Sequence, residues 1–432
     1  MSLGGEPNQP TSEVIPTKAT QTTDEPVSWT NWVGNQSFSC ARQFAPADES
    51  EIVGAVRDAR KSRGRIRCVG TGHSFGPIVE TCDTLINFSR MRGVTSIDAE
   101  RRRVSALPGT LISEFGEPLW EAGVALHNQG DIDTQTISGV VATGTHGSGL
   151  AQRSFSGVVQ RLRLVTGQGE VLQVDDQEPE LLRAAQVALG LLGVMTELEL
   201  DVVPAYVLAE RIEYRDYQDV IASWPEAIRR HRHFSCFWMP SDDSAELYGL
   251  EVPGGASMTD RCYVKIYDEV DPHGADDSLD RNAKRVDRSY RIYPHTFEPN
   301  FHELEYMVPA EMAVEAAGAV RDLILHRFPD CIFPMELRTT AADEGFLSPN
   351  FERDSAVISI SGAPGTDYWP FLRAIHETLH QFAARPHWGK LHFMTRERLE
   401  ELFPRFDRFV ELRRELDPDG VFLNDHLREL FA

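Results

Sequence analysis

The run Gly70-Thr71-Gly72-His73-Ser74-Phe75-Gly76, "GTGHSFG", supports three readings that lead to different folds. Its last five residues fit the G-x-S-x-G elbow that presents a nucleophilic serine, here Ser74. Its first three open like the G-x-G-x-x-G turn of a dinucleotide-binding unit. In the third reading His73 is the reactive group. An elbow needs a strand before it and a helix of several turns after it. Arg65–Val69 supplies the strand, but Pro77 follows the run at once and the next strand-like stretch starts at Thr84. The helix has no room. The dinucleotide turn fails by one residue, because its third glycine falls due at Phe75 and arrives at Gly76.

The rest of the chain sets bounds on both alternatives. At 432 residues two domains are expected. The net charge of −23 argues against a nucleic-acid or anionic-membrane partner. Cysteines 40, 68, 82, 236, 262 and 331 include no C-x-x-C pair, so reduced, mostly buried thiols are expected. The longest mainly apolar stretch, Ala184–Met195, is too short for the ~20 residues of a membrane helix. Residues 1–28 are rich in Thr, Pro, Gln and Glu and read as a disordered tail, which makes a cytoplasmic location the default. Asp48–Gly64 reads as a capped helix and Leu111–Ala122 as another, among short strands at 65–69, 84–88 and 104–107. Short strands and helices alternate without 30-residue βαβ periods, which predicts an α+β fold. From about 206 to 383 the texture changes to longer strands and helices, the expected second domain, and 384–432 again carries dense motifs.

A second run, Ser138–Gly149, reads "SGVVATGTHGSG". Glycines alternate with small and hydroxyl residues, so a backbone loop there can approach a ligand and turn several N–H groups on an anion. With the first run some 70 residues upstream, and with "ALGLLGVMTELEL" at Ala188–Leu200, the pattern resembles the vanillyl-alcohol oxidase family of FAD-binding enzymes. "RPHWGKLHF" (Arg385–Phe393) and the terminal "LDPDGVFLNDHLREL" resemble its aldonolactone and alditol oxidase branch. The resemblance covers the chain from about residue 29 and is weak between about 205 and 325. It implies an FAD domain over 29–205, a substrate-binding cap over 206–383 built on an antiparallel sheet with helices, and a C-terminal segment over 384–432 that returns to the active site.

The resemblance also implies roles for residues. FAD would be held by Gly70, Thr71, Gly72, Ser74 and Phe75 of the first run, with a covalent bond through His73. Asp131 and Thr136 just before the second run, and Ser138, Gly139, Ala142, Thr143, Gly144 and His146 within it, would also serve it, with Gly193, Val194 and His387 completing the set. Gly130 stands at a gate position where bulk limits oxygen access, and glycine leaves the gate open. Asp131 departs from the small hydroxyl residue usual in alditol oxidases. Substrate would be bound by Glu336, Arg338, Ser361 and Lys390. In "FPMELRT" the alternation puts Glu336 and Arg338 on one strand face opposite apolar Phe333, Met335 and Leu337, a pairing suited to vicinal hydroxyls or a lactone oxygen. The same pattern is that of an ordinary exposed, salt-bridged face. Lys390 would place a cation beside the flavin and the substrate hydroxyl. The expected reaction is hydride transfer to the flavin from a CH–OH group of a small aldono-1,4-lactone, with O2 or another acceptor. Alditol or other sugar oxidation is the alternative and a serine hydrolase the reading from another class. Zinc held by His73, His146, His387 and His392 lacks supporting ligand spacing.

Overall fold

The computed structural model describes residues 25–250, 252–271, 284–294 and 300–432. Residues 1–24 of the expected tail lie outside them, and Val27 and Ser28, its last part, instead open a strand, Val27–Thr30, paired with Ser37–Cys40. Three strands follow in a small parallel sheet, β1 (Arg42–Phe44), β2 (Ile66–Val69) and β3 (Thr84–Asn87), in the order β1-β3-β2. The helix Glu49–Ser62 crosses between β1 and β2. The Asp48 side chain accepts from the Glu51 amide at its start, and Arg63 ends it at φ 57°, one residue before the expected Gly64. A five-stranded antiparallel sheet comes next: β4 (Val94–Asp98), β5 (Arg103–Ala106), β6 (Val159–Val165), β7 (Val171–Val174) and β8 (Val194–Asp201), in the order β7-β6-β8-β5-β4.

Apart from a short pair, Val124–Ala125 with Val203–Pro204, the remaining strands form one eight-stranded antiparallel sheet. They are β9 (Val207–Asp216), β10 (His233–Met239), β11 (Arg261–Val270), β12 (Arg285–Arg288), β13 (His302–Pro309), β14 (Met335–Thr340), β15 (Ser355–Gly362) and β16 (Arg385–Pro386). Their order is β12-β9-β11-β10-β14-β15-β13-β16. Leu304, Tyr306, Leu337, Ile358 and Ile360 are buried in one core with Trp224, Val320, Ile324 and Ile375 of the helices Tyr217–Arg230, Ala313–Arg327 and Trp369–His380. That packing supplies the apolar free energy of this half, at ~25 cal/mol per Å2 removed from water. The opposite face carries the alternate residues, Glu303, Glu305, Glu336, Arg338 and Ser359, and these are buried too. A sheet with charge under cover on one face has been built around something other than a hydrophobic core.

Arg67, on β2, joins three separate segments. Its guanidinium donates to the carbonyls of Ile78 (2.9 Å), Phe422 (2.6 Å) and Leu189 (2.6 Å), and it is 4% exposed. Burial pushes its pKa down to about 10, still charged at neutral pH. Arg67→Met keeps the apolar stem but strands three buried carbonyls. We expect a loss of about 3 kcal/mol or more, read as a lowered thermal midpoint.

Candidate active site

The first glycine run leaves the end of β2 and is clamped from both sides. Asn31 Nδ2 donates to the Ser74 carbonyl (3.0 Å), and Asn35 Nδ2 donates to that of Phe75 (2.9 Å). The Phe75 amide donates to the Gly389 carbonyl (2.8 Å), so two motifs more than 300 residues apart in sequence meet as one loop pair. Gly72 sits at φ +74°, a left-handed turn that favours glycine. His73 stacks on Trp32 with centroids 5.0 Å apart and has Nδ1 2.9 Å from Thr71 Oγ1. Burial, then the Lys390 charge, pushes its pKa down to about 4, so the ring is neutral at physiological pH. Residues 77–83 contain no helix, and among the described residues Ser74 Oγ has no histidine hydrogen-bonded to it. No serine-nucleophile elbow forms.

The second run departs from its expected loop conformation. Ile137–Thr143 is a short helix with Thr136 at its N-cap and Gly144 at φ +74° closing it. Gly144 faces Pro349 and Val187 and does not line the cleft, so it serves the turn instead of the ligand. Thr136, Ser138, Gly139, Ala142, Thr143 and His146 do line it, opposite Gly70–Phe75 and beside Gly193 and Val194. A Cβ on Gly70 would stand 1.9 Å from Thr136 Oγ1, and Gly139 is also close to that hydroxyl. Thr136 Oγ1 is itself buried without a hydrogen-bond partner. A cleft walled by glycines, with an orphaned hydroxyl inside it, fits the backbone-close binding of a dinucleotide cofactor.

The floor of the cleft comes from the charged sheet face. Antiparallel register sets Glu336 opposite Ser359 and Ser359 opposite Glu305, one row across β14, β15 and β13. Arg338 Nη2 donates to Glu305 Oε2 (2.6 Å) and stands 3.4 Å from Glu336 Oε2, while its Nη1 reaches Asp131 Oδ2 at 3.2 Å. Asp131 also pairs with Lys265 of β11 at 3.0 Å. Lys390 pairs with Glu303 and lies 5.1 Å from the centre of the Phe75 ring. Burial raises the Glu336 carboxyl to about 7 in spite of Arg338. Burial also pushes Glu305 upward, but Arg338 and then His146 outweigh it and hold that carboxyl well below the usual range. Ser361 is opposite Glu303 in the register yet is absent from the cleft wall, and Ser359 reaches the charge network in its place through Glu305.

The sequence matches the model of an FAD binding domain over residues 41–175 and that of D-arabinono-1,4-lactone oxidase over residues 252–430. It is 31% identical to L-gulono-1,4-lactone dehydrogenase of Mycobacterium tuberculosis over 425 residues, covering 94% of this chain and 99% of the relative. The chain belongs to the aldonolactone oxidase family of FAD-dependent oxidoreductases. Alditol oxidase of Streptomyces sp. is 28% identical, covering 93% of this chain and 98% of the relative. Among solved structures, cholesterol oxidase from B. sterolicum superposes with a TM-score of 0.80 at 13% identity, covering 100% of both chains. 6-Hydroxy-D-nicotine oxidase from Arthrobacter nicotinovorans gives 0.66 at 17%, over 88% of this chain and 90% of that one. These two likenesses establish the α+β fold and nothing further.

Within this aldonolactone oxidase family member, one trio among the described residues brings metal-ligating atoms together, His146, Glu305 and His387. Its hydrogen bonds do not suit a metal. The Gly389 amide donates to His387 Nδ1 (3.0 Å), so the proton of that neutral ring sits on Nε2 and neither nitrogen is open. Glu305 is already engaged by a guanidinium. His392 lies away from the cleft, with its ring 6.0 Å from that of His426. Glu303 and Glu305 were not anticipated, although the alternation in "HELEYMVP" was their signal, and Lys265 on β11 had none. Gly70→Ala should drive a methyl into Thr136 and expel the cofactor, giving folded but colourless protein by absorbance.

Proposed function

We propose that the protein oxidises a CH–OH group of a neutral aldono-1,4-lactone, with the substrate held at Glu336, Arg338 and Lys390. The observation that carries this reading is Glu336: a carboxyl 8% exposed, raised to about 7, with Oε1 unpartnered at the cleft floor. A carboxyl of that kind accepts a hydroxyl proton near neutral pH. When bound, FAD supplies the two-electron oxidation by accepting hydride at N5. Arg338 and Lys390 orient the oxygens of the substrate, and the low-dielectric floor strengthens both contacts. Asp131, paired with Lys265 and Arg338, narrows the floor with a carboxylate, which favours a ring lactone over an unbranched alditol. His73 is the residue for covalent attachment, since its neutral ring keeps a nitrogen lone pair. Gly130, on the cleft wall, leaves space for oxygen to reoxidise the cofactor.

Anaerobic bleaching of the purified flavoprotein over a panel of aldonolactones, alditols and aldoses tests the substrate class; failure of every lactone rejects it. Glu336 works as an acceptor only when ionised. The kcat/KM of the oxidised substrate should therefore fall about tenfold per pH unit below about pH 7 and level off above it. Glu336→Gln should lower kcat/KM roughly 100- to 10,000-fold and erase that limb. Denatured wild type should keep flavin fluorescence in a gel band, and His73→Ala should lose it.

A further inference from the structure

Four groups converge on Glu305, and none of them is explained by substrate binding alone. Arg338 donates to its Oε2 at 2.6 Å, and Ser359 donates to the same oxygen at 2.6 Å. Its Oε1 lies 3.0 Å from His146 Nε2, and its backbone carbonyl accepts from the His387 amide at 3.0 Å. Both side chains of the His146–Glu305 pair are 1% exposed. His146 Nδ1 lies 2.8 Å from the Gly147 carbonyl, which only accepts, so that nitrogen carries a proton. Two lone pairs cannot face each other at 3.0 Å in a dry site, so a second proton lies between Nε2 and Glu305. The ring donates from both nitrogens.

This contact decides where the Arg338 charge goes. The guanidinium sits 0.8 Å nearer Glu305 than Glu336 (3.4 less 2.6 Å). Glu336 keeps only a long contact on one oxygen and none on the other. We propose that Glu305, fixed by His146 and Ser359, is the positioning residue that draws Arg338 away from Glu336 and so leaves Glu336 able to accept the substrate proton. The proposal rests on Glu336 being that acceptor. The remaining groups facing Glu336 are Lys265 on β11, Glu303 on β13 and Asp131 from the opposite wall, with the buried Cys236 thiol of β10 on the reverse face of the sheet. Glu305→Gln leaves each of these in place.

Glu305→Gln removes the competing charge while keeping the shape. Arg338 should then move onto Glu336, and the acid limb of kcat/KM should shift down by on the order of one pH unit. Flavin content and thermal midpoint report whether the variant is intact. An intact variant with an unmoved limb overturns the proposal. Should the variant not fold, 15N-imidazole NMR of the wild-type holoenzyme reads the contact directly. A ring protonated on both nitrogens at pH 7, whose signal His146→Gln removes, supports the shared proton, and a bare Nε2 in that ring overturns it. Neither the NMR signal nor the flavin content depends on the substrate, so a wrong substrate class and a wrong role for Glu305 give different failures.

Discussion

The cleft is organised around one buried guanidinium. Arg338 is 8% exposed and is held between Asp131, Glu305 and Glu336. Burial works against its charge, but the three carboxylates outweigh it and raise its pKa well above the ordinary value. Removing one partner of such a group costs about 3–5 kcal/mol, because the charge left behind cannot return to water. Asp131 belongs to the segment that precedes the helix Ile137–Thr143, whereas Arg338 belongs to the eight-stranded sheet. The same ion pair therefore joins two walls of the cleft and positions the polar groups on its floor.

The cofactor side is set by close approach instead of charge. Gly70 must lack a side chain because Thr136 occupies that space, and Gly193 must lack one because the Val165 carbonyl would lie 2.9 Å from its Cβ. Both glycines stand where one element passes hard against another, β2 against the helix Ile137–Thr143 and β8 against β6. The backbone at both positions thereby lines the cleft with no side chain of its own. Arg67 holds the same region from behind by gathering three carbonyls.

The α+β class, the two glycine runs and the Glu336–Arg338 face were legible because each is a local pattern with a local cause. What was not legible depends on pairing across the sheet. Glu303 and Glu305 alternate with Leu304 and Tyr306 much as Glu336 and Arg338 alternate with their neighbours, but the pattern alone reads as a wet, salt-bridged edge. Only the register that puts β13 beside β15 turns it into the floor of a cleft. The helix at Ile137–Thr143 was hidden by Gly139 and by β-branched Val140, Val141 and Thr143, poor helix formers that tertiary packing overrides. Ser361 and Gly144 were placed by motif position; neither lines the cleft, although Ser361 shares the sheet face of Glu303, its register partner.

The ion balance of the floor bears on the kind of molecule it admits. Asp131, Glu303, Glu305 and Glu336 face Lys265, Arg338, Lys390 and the proton that His146 shares with Glu305. With Glu336 ionised the charges cancel. A substrate bearing its own carboxylate, such as the open-chain acid of a sugar lactone, would add an unpaired negative charge to a dry site and incur the desolvation penalty of a buried ion. A neutral lactone or polyol incurs only the cost of exchanging hydrogen bonds. On the role proposed for Glu336, the floor carries one net positive charge once the hydroxyl proton arrives, at the stage when electron density has moved to the cofactor side of the cleft. The floor is thus neutral towards the substrate it receives and complementary to the charge that oxidation creates.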